Sequence, residues 1–412
     1  MSELTMAQAA EIAVELLGNG VAVAEVSSER NLRWANSALT TNGDTVDQTL
    51  SLAAFVDVDG GTASGIASGQ VRSRDDIAAL VAAAQASARA AGPAPDAAPL
   101  VVGAQHGDYH DAAHVGDMSG LSALAPALRE AMRDGSAQFF GYASESVDTT
   151  YVATSAGTRL RFVENTSRFE LCAKDAGRTR SAWSGQSGAT LHTVDVASHA
   201  RTVLRGLTHQ AKLIDVDPGQ HTVTLSSSAL ADLMIYMMWS AAAREAAEGR
   251  SVFSAPVGGT RIGEQLTTRG LTIAADPHAV GIQTPDVVVN VSSSSMSSAF
   301  DTGLPLPRAD IVSDGRLNAL PSSRHAAREA GLPFTPLTDN IVVTDQAGTG
   351  SLDELAARMG KGLLVTCLWY IREVDPQSLL LTGLTRDGVY VVDDGEIVGA
   401  ANNFRFNESP VS

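Results

Sequence analysis

The sequence is short of positive charge, cysteine and long apolar runs, and each shortage excludes a class of function. Lys and Arg number 29 against 46 Asp and Glu, giving a formal net charge of −17. Nucleic acids are held chiefly by neutralising their phosphates, so this balance excludes a nucleic-acid partner. Only two cysteines occur, Cys172 and Cys367, with no CxxC pair. Their spacing excludes a disulfide framework and a cysteine-rich zinc module, and it fits a reducing interior. No run approaches the ~20 apolar residues needed to span a bilayer. The first residues are amphipathic and carry acids, unlike the basic leader of a signal peptide. A cytoplasmic protein without membrane contact is expected.

What is present suits a soluble α+β protein of 412 residues, 44% hydrophobic and 18% charged, long enough for two or three domains. An N-terminal helix and antiparallel-sheet domain is expected over 1–95. A linker and helix follow over 96–135. A larger, mostly antiparallel β domain with packed helices fills 136–412. In the first domain the pattern predicts a helix over 6–17, strands over 21–26, 32–39, 45–58 and 62–67, and a helix over 75–91 capped by Ser73. Asn42-Gly43 and Gly60-Gly61 mark turns between those strands. Further on, helices are predicted over 121–133 and 194–213. Strands fall at 137–143, 150–154, 159–163, 168–173, 179–183, 222–225 and 286–291. Ser292 opens a serine-rich loop that ends at Ser298.

Residues 226–264 organise the second half. Ser226, Ser227 and Ser228 offer caps for a helix that Gly249 can end, and Leu230, Leu233, Met234, Met237, Met238 and Ala241 form one apolar face. A methionine stripe at this spacing reads as core. The histidines His106, His110 and His114 are the metal candidates, since a helix would set all three on one face with Asp111 or Asp117 nearby. Against them stand Gly107 and the proline-rich stretch before it, and no Glu adjoins a His. Serine chemistry has little support, because Gly185-Gln186-Ser187-Gly188 is not a GxSxG elbow.

The chain resembles the TldD/PmbA family, once described as modulators of DNA gyrase and understood as zinc metallopeptidases. The resemblance rests on Ser251-Val252-Phe253-Ser254, on Arg261-Ile262-Gly263-Glu264, and on Phe300-Asp301 through Gly303 to Pro305. Thr338 with Asn340, the Arg33-to-Leu39 stretch and Asn402–Phe406 add to it. Counting back from the first pair, the family's helical HExxxH motif falls on Met234, Ile235, Tyr236, Met237, Met238 and Trp239. None is a useful zinc ligand, since zinc takes imidazole, thiolate or carboxylate and thioether sulfur suits copper(I). The catalytic subunit also takes a cysteine ligand from a glycine-rich C-terminal segment. No such segment precedes Ser412, and Cys367, in an apolar strand, reads as a structural thiol.

The resemblance therefore implies the PmbA/TldE type, with no catalytic residue and no metal in this chain. Zinc would be held by a TldD-like, HExxxH-bearing partner in a heterodimer, and the isolated chain could pair with itself. Together the subunits would cleave short or unfolded peptides or a modified peptide precursor, with this chain helping to enclose the chamber. Two alternatives stay open at this point: an independent metal-dependent hydrolase using His106, His110 and His114, and a non-enzymatic regulatory binding protein.

Overall fold

The computed structural model describes residues 4–116, 119–133, 135–337 and 340–411, and its first half is built on a six-stranded antiparallel sheet. α1 (Met6–Leu17) begins at Thr5, whose hydroxyl accepts from the Gln8 N–H while the Gln8 side chain accepts from the Thr5 N–H. β1 (Gly20–Ala35), β2 (Ala38–Val58) and β3 (Gly61–Gly69) follow as a meander, and α2 (Arg74–Ala91) starts from the Ser73 cap. α3 (Gly120–Ala131) leads into β4 (Gln138–Thr154), β5 (Arg159–Lys174) and β6 (Ser181–Gly188), after which comes α4 (Val196–His209). The strand order is β3-β2-β1-β4-β5-β6.

Alternation decides which face is buried. Ala22, Ala24 and Val26 of β1 pack with Leu50, Leu52 and Tyr151 beneath α1 and α2. Along the same face, α3 and α4 cover Trp34, Phe139, Phe169 and Leu171. Gly65 on β3 lies against α2, where a Cβ would stand 2.1 Å from the Ala88 nitrogen, so only glycine permits this approach.

One expectation changes here. Asn42 and Gly43 lie inside β2, opposite Leu32 and Asn31, and the chain reverses instead at Asn36 and Ser37, with φ of 52° and 59°. Apolar pairing sets that register, because it places Leu52 beside Ala22 and Leu50 beside Ala24 on the core face. The stretch 96–135 connects two paired strands. β4 pairs with β1 from Val21 against Thr154 to Trp34 against Gly141, so this stretch lies between strands of one sheet and the next sheets begin near residue 213.

The second half contains β7 (Leu213–Ile214), β8 (Val223–Leu225), α5 (Ser227–Trp239), α6 (Ala243–Ala247), β9 (Leu271–Ala275), β10 (Ala309–Ser313) and β11 (Arg316–Leu317). α7 (Arg324–Ala330), β12 (Ile341–Asp345), α8 (Leu352–Met359), β13 (Gly362–Val365) and β14 (Leu368–Asp375) follow. β15 (Leu380–Thr385), β16 (Val389–Asp393), β17 (Glu396–Ala401) and β18 (Arg405–Glu408) complete the set. They form sheets ordered β11-β10-β9-β12, β7-β17-β16-β13-β8 and β14-β15-β18, antiparallel except where β13 meets β8 and β17 meets β7. Leu213 and Ile214 thus join a sheet rather than extending α4. The expected strand over 286–291 is reduced to one bridge, Val287 with Pro305. Pro305 has no N–H to continue a ladder.

The two halves meet at an aromatic stack, Phe55 against Phe300, with centroids 4.0 Å apart and planes 17° from parallel. Beside it the buried Asp301 carboxylate accepts from the Arg324 N–H at 2.9 Å and from Arg324 Nε at 2.5 Å. Ser293 and Ser298 both donate to Asp96. The fold is α+β, and no helix among the described residues is long and apolar enough to cross a membrane.

Candidate functional site

α5 begins where the serines allow it: the Ser226 hydroxyl accepts from the Ala229 N–H at 3.2 Å. Leu233, Met234, Met237 and Met238 are buried in the main core of the second half, among Phe253, Ile311, Leu363 and Leu381. Leu230, expected on that face, is exposed. Ile235 and Trp239 also point outward, Trp239 with 59% of its surface exposed, and the Tyr236 hydroxyl donates to the Ile371 carbonyl at 2.8 Å.

The helix stops at Trp239, ten residues short of Gly249. Ser240 caps it, and after a break the Ala243 N–H donates to the Pro321 carbonyl at 2.9 Å to start α6. Tertiary pairing thus interrupts a helix that local propensity would continue. Gly249 follows α6 at φ 79°.

The next two segments support one another. Ser251 turns the chain by accepting from the Phe253 N–H at 3.0 Å, and Phe253 is fully buried. Arg261 donates to the Val252 carbonyl at 2.8 Å and to both Glu264 carboxylate oxygens at 2.7 Å. Those bonds from Arg261 hold the Glu264 carboxyl below the usual range.

A cleft of about 570 Å³ opens at the C-terminal end of α5, lined by Trp239, Ser240, Glu245, Arg250, Glu373 and Asp375 among others. Ser240 donates to Glu373 at 3.1 Å. The Ser378 hydroxyl, with the N–H groups of Gln377 and Ser378, holds the Asp375 carboxyl below the usual range. Arg250 also pairs with Glu248. The wall is therefore acidic and can hold polar or cationic groups. Nothing in the sequence marks Glu245, Arg250, Glu373 and Asp375 as a group, because the break after Trp239 and the turn after β14 bring them together.

The histidines do not converge. Residues 106–114 form no helix: His106 Nδ1 lies 3.1 Å from the Arg161 carbonyl, His110 approaches Glu11 at 3.9 Å, and the His114 N–H donates to Thr149. Asp117 lies outside the described residues. Among the described residues no group of three or more His, Cys, Asp or Glu is placed to hold a metal. Two serine–histidine bonds passed unnoticed in the sequence, Ser184 to His199 Nδ1 at 2.8 Å and Ser119 to His192 Nε2 at 3.1 Å, and neither lines the cleft. Burial pushes the Cys172 thiol up to about 11 and the Cys367 thiol up to about 12, so both are neutral at physiological pH. Asp301 serves the junction of the two halves rather than the cleft. Asn340 donates to the Ile282 carbonyl at 3.0 Å, and Thr338 lies outside the described residues.

Residues 218–412 match the family described as PmbA/TldA metallopeptidase C-terminal domain. Comparison with curated protein sequences gives no match. Among solved structures, TldE from Thermococcus kodakarensis shares the fold with a TM-score of 0.76 at 14% identity, covering 97% of this chain and 90% of that one. A Bacteroides thetaiotaomicron protein described as a candidate modulator of DNA gyrase gives 0.76 at 14% identity, covering 98% and 91%. A similarly described Thermotoga maritima protein gives 0.73 at 16%, covering 97% and 91%.

Proposed function

We propose that the chain, whose residues 218–412 match the PmbA/TldA metallopeptidase C-terminal domain, is the subunit without metal in a two-subunit zinc metallopeptidase of the TldD/TldE type. One observation carries the reading. The positions that the resemblance assigns to HExxxH hold Met234, Ile235 and Trp239, and the Met234 thioether is packed into the core with Met237 and Met238. These residues do not fit zinc, which takes imidazole, thiolate or carboxylate. A TldD-like partner would hold the metal and supply the catalytic groups.

This chain would contribute a wall of the chamber, and the acidic cleft beside Trp239 is the part of it nearest those positions. The substrate would be a short or unfolded peptide, or a modified peptide precursor, in the cytoplasm. Native mass and zinc content, measured on this chain alone and after co-expression with an HExxxH-bearing partner, test the reading. The expected result is a zinc-free chain alone and a zinc-containing, peptide-cleaving complex with the partner. Stoichiometric zinc and peptide cleavage by the isolated chain would overturn it.

A further inference from the structure

A second cavity, of about 170 Å³, shares no lining residue with the acidic cleft and reaches Asp301 at the junction of the two halves. The serine-rich loop forms one wall. Ser293 and Ser298 tie that loop to Asp96, and the Ser294 hydroxyl accepts from the N–H groups of Met296 and Ser297, both at 3.2 Å, so its shape is fixed before any ligand arrives. Asn290 is fixed as well. Thr302 donates to the Asn290 carbonyl at 2.7 Å and accepts from its N–H at 3.0 Å, which holds the backbone and leaves the side chain to the cavity.

Two polar groups in this lining have capacity to spare. The Asn290 carboxamide makes no hydrogen bond among the described residues, although it carries one acceptor oxygen and two donor hydrogens. Ser322, only 1% exposed, accepts from the Thr335 N–H at 3.2 Å, but its own hydroxyl proton meets no acceptor among the described residues. Met296, Phe334 and Leu337 supply apolar wall. Asp301 is the one ionisable group among the described lining residues, and Arg324 already answers it. A charged ligand would therefore find no counter-charge here.

We infer that this cavity holds one uncharged apolar residue of an extended peptide, its side chain against Met296, Phe334 and Leu337 and its main-chain amide against Asn290. Size and chemistry both select that occupant. A cavity of about 150 Å³ accommodates benzene, so this one takes a single side chain of similar bulk. A peptide unit offers one N–H and one C=O, the complement of a carboxamide, and a second C=O can take the Ser322 proton. Free amino acids are excluded, because their ammonium and carboxylate groups would enter unpaired. The inference rests on the peptide-cleaving reading for its ligand class, and it adds a preference for an apolar residue at a place distinct from the acidic cleft.

Binding can be read on the isolated full chain, without partner or cleavage, from isotope-labelled methionine methyl groups, with Met296→Leu identifying the Met296 signal. Titration with N-acetyl-leucinamide is expected to shift that signal saturably in the millimolar range. N-acetyl-lysinamide and free leucine should each need at least about tenfold higher concentration. Asn290→Ala should weaken N-acetyl-leucinamide about tenfold, as the loss of its amide hydrogen bonds requires. If Asn290→Ala does not fold, the order of the three probes on the unaltered chain still decides the matter. No shift of Met296, equal binding of the three probes, or affinity unchanged by Asn290→Ala overturns the inference. The two readings fail separately: zinc bound by the chain alone would overturn the subunit assignment and leave these shifts in place, whereas a missing shift in a chain that still forms the zinc-containing complex would remove the pocket only.

Discussion

α5 and the stretch from His106 to His114 are opposites. α5 has the regularity of a metal-binding helix, with side chains fixed by a packed core, but offers only thioether, aliphatic and aromatic groups there. The histidine stretch offers three imidazoles but no helix to aim them: the His106 ring turns to the Arg161 carbonyl, the His110 ring to Glu11, and His114 is held through its backbone N–H by Thr149. A metal site needs ligand chemistry and preorganised geometry in the same place. Each region has one of the two.

The contrast can be broken first at the core. Met237→Ala should cost about 2–5 kcal/mol, the range for deleting a buried side chain of this size, as read from urea unfolding. A loss below about 1 kcal/mol would mean that this face of α5 is not core. Next, adding ligands sharpens it: Met234→His buries a polar ring without an assigned partner and should cost about 2–3 kcal/mol, whereas the exposed Trp239→His should stay within about 0.5 kcal/mol. Equal costs would show that the two positions share an environment. His106→Ala removes a contact to the Arg161 backbone and should cost about 1 kcal/mol, with zinc content unchanged. His110→Ala should cost nothing measurable, and any loss of bound zinc in either variant would reinstate the histidine stretch as a site. The smallest effect is chemical: with both thiols held neutral by burial, iodoacetamide at pH 8 should modify the folded chain about tenfold more slowly than the urea-unfolded one. Equal rates would show exposed thiols.

How much was legible in the sequence follows from where the deciding forces act. Helix starts are local, so Ser73 and Ser226 mark theirs correctly, and Gly60-Gly61 does turn the chain between β2 and β3. Asn42-Gly43 carries a stronger turn signal than Asn36-Ser37, yet the register of distant apolar pairs overrides it. The end of α5 is likewise set by a hydrogen bond to Pro321, some eighty residues downstream and invisible to periodicity. The residues 234–239 could be read from the sequence because they form one helical stretch. The cleft could not, because its residues come from two segments more than a hundred positions apart.

The strand order has a consequence for synthesis. β1 is central, but its second neighbour, β4, lies about a hundred residues downstream. At ribosomal rates of roughly 5–20 residues per second, the β1 edge waits on the order of ten seconds for its partner. During that interval the nascent chain holds β1, β2 and β3 under α1 and α2 with one inner edge open as well as the outer edge of β2. A chaperone that covers β1 over this window, or a pause in translation after β4, would shape the yield of folded protein more than any residue of the cleft.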